Sequence, residues 1–184
     1  MFNYHMTPTE QAVKELYQQL SITEPSQIDM FDIAKKMNIW LHFEPIASIS
    51  FSRNDMHSMI IDSRLSPQEQ WEDFGHELYH LIRNAGNQLL LPESFVRMQE
   101  SRADNFALDF CIPTFMLLNM PLTGTRPELI ETVAETFNVT PQFAEKRLKK
   151  HEHRLASNHI FNQLAATVEA TRQFKRVIGC DYTI

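Results

Sequence analysis

Apolar residues in this chain recur at two spacings, and the switches between them divide it into elements. Ala12, Val13, Leu16, Tyr17 and Leu20 follow Thr7-Pro8-Thr9-Glu10 at helical intervals, and those four residues form a capping box with proline at the first helical position. A core-facing first helix is predicted. A short helix near Met30 to Met37 precedes Ile39-Trp40-Leu41-His42-Phe43, whose alternation is that of a strand. Ala47 to Ser52 and His57 to Asp62 flank the turn-type residues Arg53-Asn54-Asp55 and suit a hairpin. The front third reads as helices plus a small antiparallel sheet.

Ser66-Pro67-Gln68-Glu69 repeats the capping device, and the helix it opens carries Trp71, Phe74, Leu78, Leu81 and Ile82 before Asn84-Ala85-Gly86 stops it. Pro92-Glu93-Ser94 starts another helix, which runs through Glu100 and Ala107 until Pro113 ends it. Everything after that reads helical. Thr125-Arg126-Pro127 and Thr140-Pro141 begin helices around Glu128 to Phe137 and Gln142 to Leu155, and a last helical stretch lies near Asn162 to Arg176. The fold class expected is α+β, mainly helical, with the small antiparallel sheet ahead of the best-capped helix.

Composition narrows the picture. The chain has 184 residues, 43% of them apolar and thirteen of them Phe, enough for one sizeable core. No apolar run reaches membrane-spanning length, and Met1-Phe2-Asn3-Tyr4-His5 lacks the basic-then-apolar order of a signal peptide, so a cytoplasmic protein is expected. Cys111 and Cys180 cannot make a disulfide framework, and Cys111, inside Phe-Cys-Ile-Pro, reads as a buried apolar thiol. Only four glycines occur, which removes the usual phosphate loops. The net charge of −6 is uneven: eight Lys and Arg against four acids from Val139 onward leave the rest at −10. That tail reads as a solvated helix surface, and direct nucleic-acid binding is not expected of so acidic a chain.

Inside the best-capped helix stands His76-Glu77-Leu78-Tyr79-His80. Positions i and i+4 share a helix face, so both imidazoles can reach one metal ion, while Glu77 sits about 100° around the axis, beside the metal without being a ligand. That is the place of a general base. Catalytic zinc takes three protein ligands and an open fourth position, so a third ligand must come from another element. Glu100 is the candidate, sharing a face with Asp104 and with Ala103 and Ala107, whose small side chains let two helices approach. Asp104, one turn on, can accept the free N–H of a ligand histidine. One zinc ion per chain is expected.

These residues resemble a known family, the gluzincin-like metallopeptidases of the ImmA/IrrE type. The likeness rests on His76, Glu77 and His80, then on Glu100, Ala103, Phe106, Ala107 and Pro113 in order. It also takes in Met59-Ile60-Ile61-Asp62 ahead of the helix, and Val133 to Pro141 with Arg147-Leu148 after it, about Ala12 to Leu155 in all. Asp104 stands where Asn is common, Cys111-Ile112-Pro113 replaces a Leu-Met-Pro ending, and the tail beyond Leu155 has no family counterpart. The domains expected are 1–155, zincin-like with a helix-turn-helix-like segment at about 127–155, and a helical tail at 156–184.

The resemblance implies a zinc endopeptidase, of a kind often encoded on mobile elements, that cleaves a helix-turn-helix repressor and so derepresses its genes. In the mechanism expected, zinc lowers the pKa of a water toward neutrality, Glu77 takes its proton, and the leaving amine later receives it. Tyr79, His151 and His153 are open candidates for stabilising the oxyanion. Met59, Ile60 and Ile61 are expected to form a strand with an open edge at the rim of the cleft, pairing with an extended substrate; the alternative is an interior strand with both edges paired. A different functional class is a non-proteolytic zinc-binding regulator that sequesters a repressor or contacts DNA, against which stand the intact Glu77 and the acidic balance.

Overall fold

The computed structural model describes residues 4–54, 56–83 and 92–177, with side chains as far as residue 167. Seven helices are described: α1 (Pro8–Gln19), α2 (Met30–Lys36), α3 (Pro67–Ile82), α4 (Glu93–Cys111), the single turn α5 (Thr114–Leu117), α6 (Arg126–Phe137) and α7 (Pro141–Val177). With them are three strands, β1 (Ile39–Glu44), β2 (Ile49–Arg53) and β3 (Met56–Asp62). No described helix is long and apolar enough to cross a membrane. The fold is α+β and mainly helical.

The capping residues act as their sequence suggests. Glu10 N–H donates to Thr7 Oγ1 at 3.2 Å while Thr7 N–H donates to Glu10 Oε2 at 2.7 Å, and Ser66 and Glu69 repeat this at the head of α3. Each box occupies two amide N–H groups that no intrahelical carbonyl can reach. α3 runs to Ile82; the expected stop at Asn84-Ala85-Gly86 lies outside the described residues.

The sheet is mixed, in the order β1-β3-β2. β2 and β3 form the expected antiparallel hairpin, with Arg53 opposite Met56, whereas β1 joins the far side of β3 in parallel, with Ile39 opposite His57. This corrects the expectation that Met59, Ile60 and Ile61 line an open edge. They belong to the central strand, and Met59 and Ile61 are wholly buried. Lying between the other two, β3 is the most buried of the strands, and among the described residues the open edges fall to β1 and β2.

Residues Met6–Leu148 form one compact unit, whose core stacks Trp71 and Phe74 of α3 against Phe110 of α4, with Phe106 lying parallel to Phe110 and Tyr17 of α1 tilted beside it. The buried Tyr17 hydroxyl donates to Phe110 O at 2.9 Å, and burial pushes its pKa well up. α3 and α4 touch closely: a Cβ on Gly75 would lie 2.7 Å from Cys111 Sγ, so glycine alone fits there without displacing the thiol. Cys111 is a free, buried thiol, its pKa raised by desolvation; Cys180 lies outside the described residues.

A second unit comprises Met1–His5 and Lys149–Ile184. Within it Tyr4 stacks on buried His151, His5 N–H donates to Asn158 Oδ1 at 2.9 Å and Arg154 Nη2 donates to His5 O at 2.8 Å. The two helices expected after Pro141 are one continuous helix, since neither proline nor glycine stands between Leu155 and Asn162 to interrupt it.

Candidate metal centre

One turn of α3 and one turn of α4 face each other at a cluster of nitrogen and oxygen atoms. His76 Nε2 lies 3.1 Å from His80 Nε2 and 3.2 Å from Glu100 Oε2, and His80 Nε2 lies 3.6 Å from Glu100 Oε1. The pair comes together because i and i+4 share a helix face, and Glu100 reaches them because Gly75, Ala103 and Ala107 thin the contact between the two helices. A tetrahedral zinc ion with bonds of 2.0 to 2.1 Å sets its ligand atoms about 3.3 Å apart. The observed separations bracket that value, and two imidazoles with one carboxylate are a donor set that zinc accepts. Among the described residues this is the group able to hold a metal, and it offers three ligands.

Asp104 lies beside the same cluster. Its Oδ1 stands 3.0 Å from His76 Nδ1, although most of its side chain is exposed. A carboxylate there accepts a hydrogen bond from Nδ1–H and holds the proton on that nitrogen, so the Nε2 lone pair of His76 is left for the cluster. Asp104 supports His76 alone; the Nδ1 of His80 is buried with no hydrogen-bond partner among the described residues.

Glu77, the residue after His76, has its carboxylate against β2. Ser50 Oγ lies 2.8 Å from Glu77 Oε2 and 3.0 Å from the Glu77 carbonyl oxygen, and can donate to either. Two residues earlier, Ser48 Oγ donates to Asp73 Oδ2 at 2.5 Å. Ser48 and Ser50, on one side of the strand, thus engage Asp73 and Glu77, one helical turn apart on α3. Sequence reasoning misses both serines. Their only signal is the alternation Ser48-x-Ser50, which any half-buried strand shows.

The remaining candidates scatter. Met59, Ile60 and Ile61 lie in the interior of the sheet. Tyr79 packs its ring on His80 and Phe106, His151 is buried against Tyr4 in the second unit, and His153 is exposed there.

Known proteins resemble this chain in sequence or in fold. A family model described as Peptidase M78, IrrE N-terminal-like domain, matches residues 34–149. The phage-like element PBSX protein XkdA of Bacillus subtilis (strain 168) is 43% identical over 161 residues, covering 88% of this chain and 81% of that protein. Protein YqaB of the same organism, described as uncharacterized, is 36% identical over 160 residues, 87% of this chain and 92% of its own length. A solved structure titled Mycobacterium tuberculosis transcriptional regulator is similar with a TM-score of 0.58 at 13% identity, over 78% of this chain. That last likeness is one of fold, and this chain spans 56% of that structure.

Proposed function

Because this chain belongs to the Peptidase M78, IrrE N-terminal-like family, we propose that it is a zinc-dependent endopeptidase that cleaves a helix-turn-helix repressor of a phage or mobile element. The observation that carries the peptidase reading is the convergence of His76, His80 and Glu100, with Glu77 next to His76 along α3 and held by Ser50. The phage-like element named for one relative supports the genetic setting, and the repressor substrate follows from the family resemblance.

His76, His80 and Glu100 would hold the ion, with Asp104 fixing the ring of His76; bound there, zinc would lower the pKa of water toward neutrality and polarise a carbonyl. Glu77 takes the proton of the attacking water and returns it to the departing amine. Ser50 holds one oxygen of Glu77 in place and leaves the other for that proton. Affinity for substrate comes from β2, packed against α3 and open at its edge among the described residues, where alternate residues turn main-chain N–H and C=O groups outward. An extended segment can pair there; a helix, with its own backbone groups already bonded, cannot. The repressor is therefore cut in an extended linker, outside its helix-turn-helix.

Two expectations test the metal assignment. Purified protein should contain one zinc per chain, and Glu100→Ala should lose it at micromolar free zinc while keeping its far-ultraviolet circular dichroism; full zinc content in that variant would remove Glu100 from the ligand set. Asp104→Ala should keep all three ligands yet bind zinc about 10- to 100-fold more weakly in competition with a chelator. Unchanged affinity would make Asp104 an ordinary surface carboxylate.

A further inference from the structure

The sheet face opposite α3 carries apolar side chains that the described residues leave uncovered. Since Ser50 turns toward Glu77, its neighbours Ile49 and Phe51 point to the other face, where they are 50% and 52% exposed. Across the ladder Phe51 lies beside Ser58 and then Trp40, itself 65% exposed, and Ile49 lies beside Ile60 and then His42. Edge strands are commonly blunted by charge or proline, but β2, Ile49-Ser50-Phe51-Ser52-Arg53, has one charge, at its turn end.

We infer that Ile49 and Phe51 are side-chain subsites that select apolar residues at two alternate positions of the extended peptide paired to β2. The inference rests on the reading of β2 as the substrate-binding edge. A strand added to that edge places its residues opposite those of β2, with Cβ atoms about 4.5 to 5.5 Å apart, and both strands alternate faces together. Every second peptide residue then faces α3, on the side of Ser50 and Glu77, and the residues between them lie outward against Ile49 and Phe51. The residues opposite Ile49 and Phe51 meet apolar carbon, and the one charge of that face, Arg53, lies two positions further on at the turn end, so the favoured substrate is an extended segment of the form apolar-x-apolar. The residue between the two faces the helix carrying the metal ligands.

The occupant is identified by selecting a displayed random-peptide library on zinc-loaded Glu77→Gln protein, which retains peptide without cutting it. Peptides from the unaltered outer face should carry apolar residues two positions apart. Phe51→Glu should turn one of those positions toward Lys and Arg, and Ile49→Glu the other, each by about 1.5- to 5-fold in enrichment. Both side chains are half exposed, so the charged variants fold, which thermal melting verifies. Preferences unchanged in both variants would overturn the inference. So would wild-type dimers in sedimentation that Phe51→Glu converts to monomers without altering peptide selection, because the face would then belong to a second copy of this chain. Failure of the enzyme reading looks different: the selected peptides bind with the expected alternation, yet wild-type protein does not cleave them.

Discussion

Glu77→Gln should retain one zinc per chain and wild-type stability while losing peptide cleavage by about 10²- to 10⁴-fold. The amide keeps the size and planarity of the carboxylate, and its oxygen can still accept from Ser50, so the local structure has no reason to shift. It cannot take a proton from water at neutral pH. His76, His80 and Glu100 are unaltered, so metal content separates a lost base from a lost site. Cleavage of a repressor is measured by electrophoresis and of a short peptide by mass spectrometry. A variant as active as wild type would refute the assignment of the base. The same variant also divides enzyme from sequestering regulator, because a regulator acting by binding alone would still derepress its genes after the Glu77→Gln substitution.

Arg147→Met should destabilise the protein by about 3 to 5 kcal/mol, the usual cost of breaking a buried ionic network at one member. Arg147 is fully buried despite lying in a basic stretch of sequence. Its Nε donates to Ile112 O at 3.0 Å and its Nη2 to Thr114 Oγ1 at 2.6 Å, and Thr114 Oγ1 donates onward to Glu10 Oε1 at 2.6 Å. Asp109 Oδ1 lies 3.7 Å from Nε. One guanidinium therefore serves α4, α5 and, through Thr114, the capping glutamate of α1. Without it, Asp109 stays buried beside a neutral side chain and the Thr114 hydroxyl that joins Glu10 to the network loses its donor. For a chain of this size the melting temperature should fall by about 6 to 20 °C. Adding Asp109→Asn should cost much less than it does alone, because the two groups share one interaction. A drop under about 1 kcal/mol for Arg147→Met would mean that the network contributes little.

Local features are legible in the sequence and distant pairings are not. His76 and His80 are joined by the helical repeat, and Glu100 is followed at helical spacing by Ala103 and Ala107, the alanines that let α4 come close; these signals need no knowledge of the fold. The capping boxes of α1 and α3 are local in the same way. Strand order is a contest among strands for burial, and a run such as Met59-Ile60-Ile61 looks the same at an edge or in the middle until its neighbours are placed. Ser50 is invisible for a related reason, since it meets Glu77 across 27 positions with no periodicity connecting them. Arg147 counts in the sequence among charges dressing a solvated helix, because composition records a charge and is silent about which side of the helix faces inward. The two helices expected beyond Pro141 are one, since local signals mark starts and stops well but say little where no breaker occurs.

The close approach at Gly75 bears on metal affinity as well as on packing. With no room for a Cβ between α3 and Cys111, the two helices cannot slide past one another without breaking the aromatic stack of Trp71, Phe74 and Phe110, so the hydrophobic core sets the distance from Glu100 to the histidine pair. The site is preorganised: an arriving ion orders three side chains and no backbone, and its binding free energy is not diminished by the work of assembling helices. Removing the ion should therefore leave helix content and the near-ultraviolet aromatic signal unchanged.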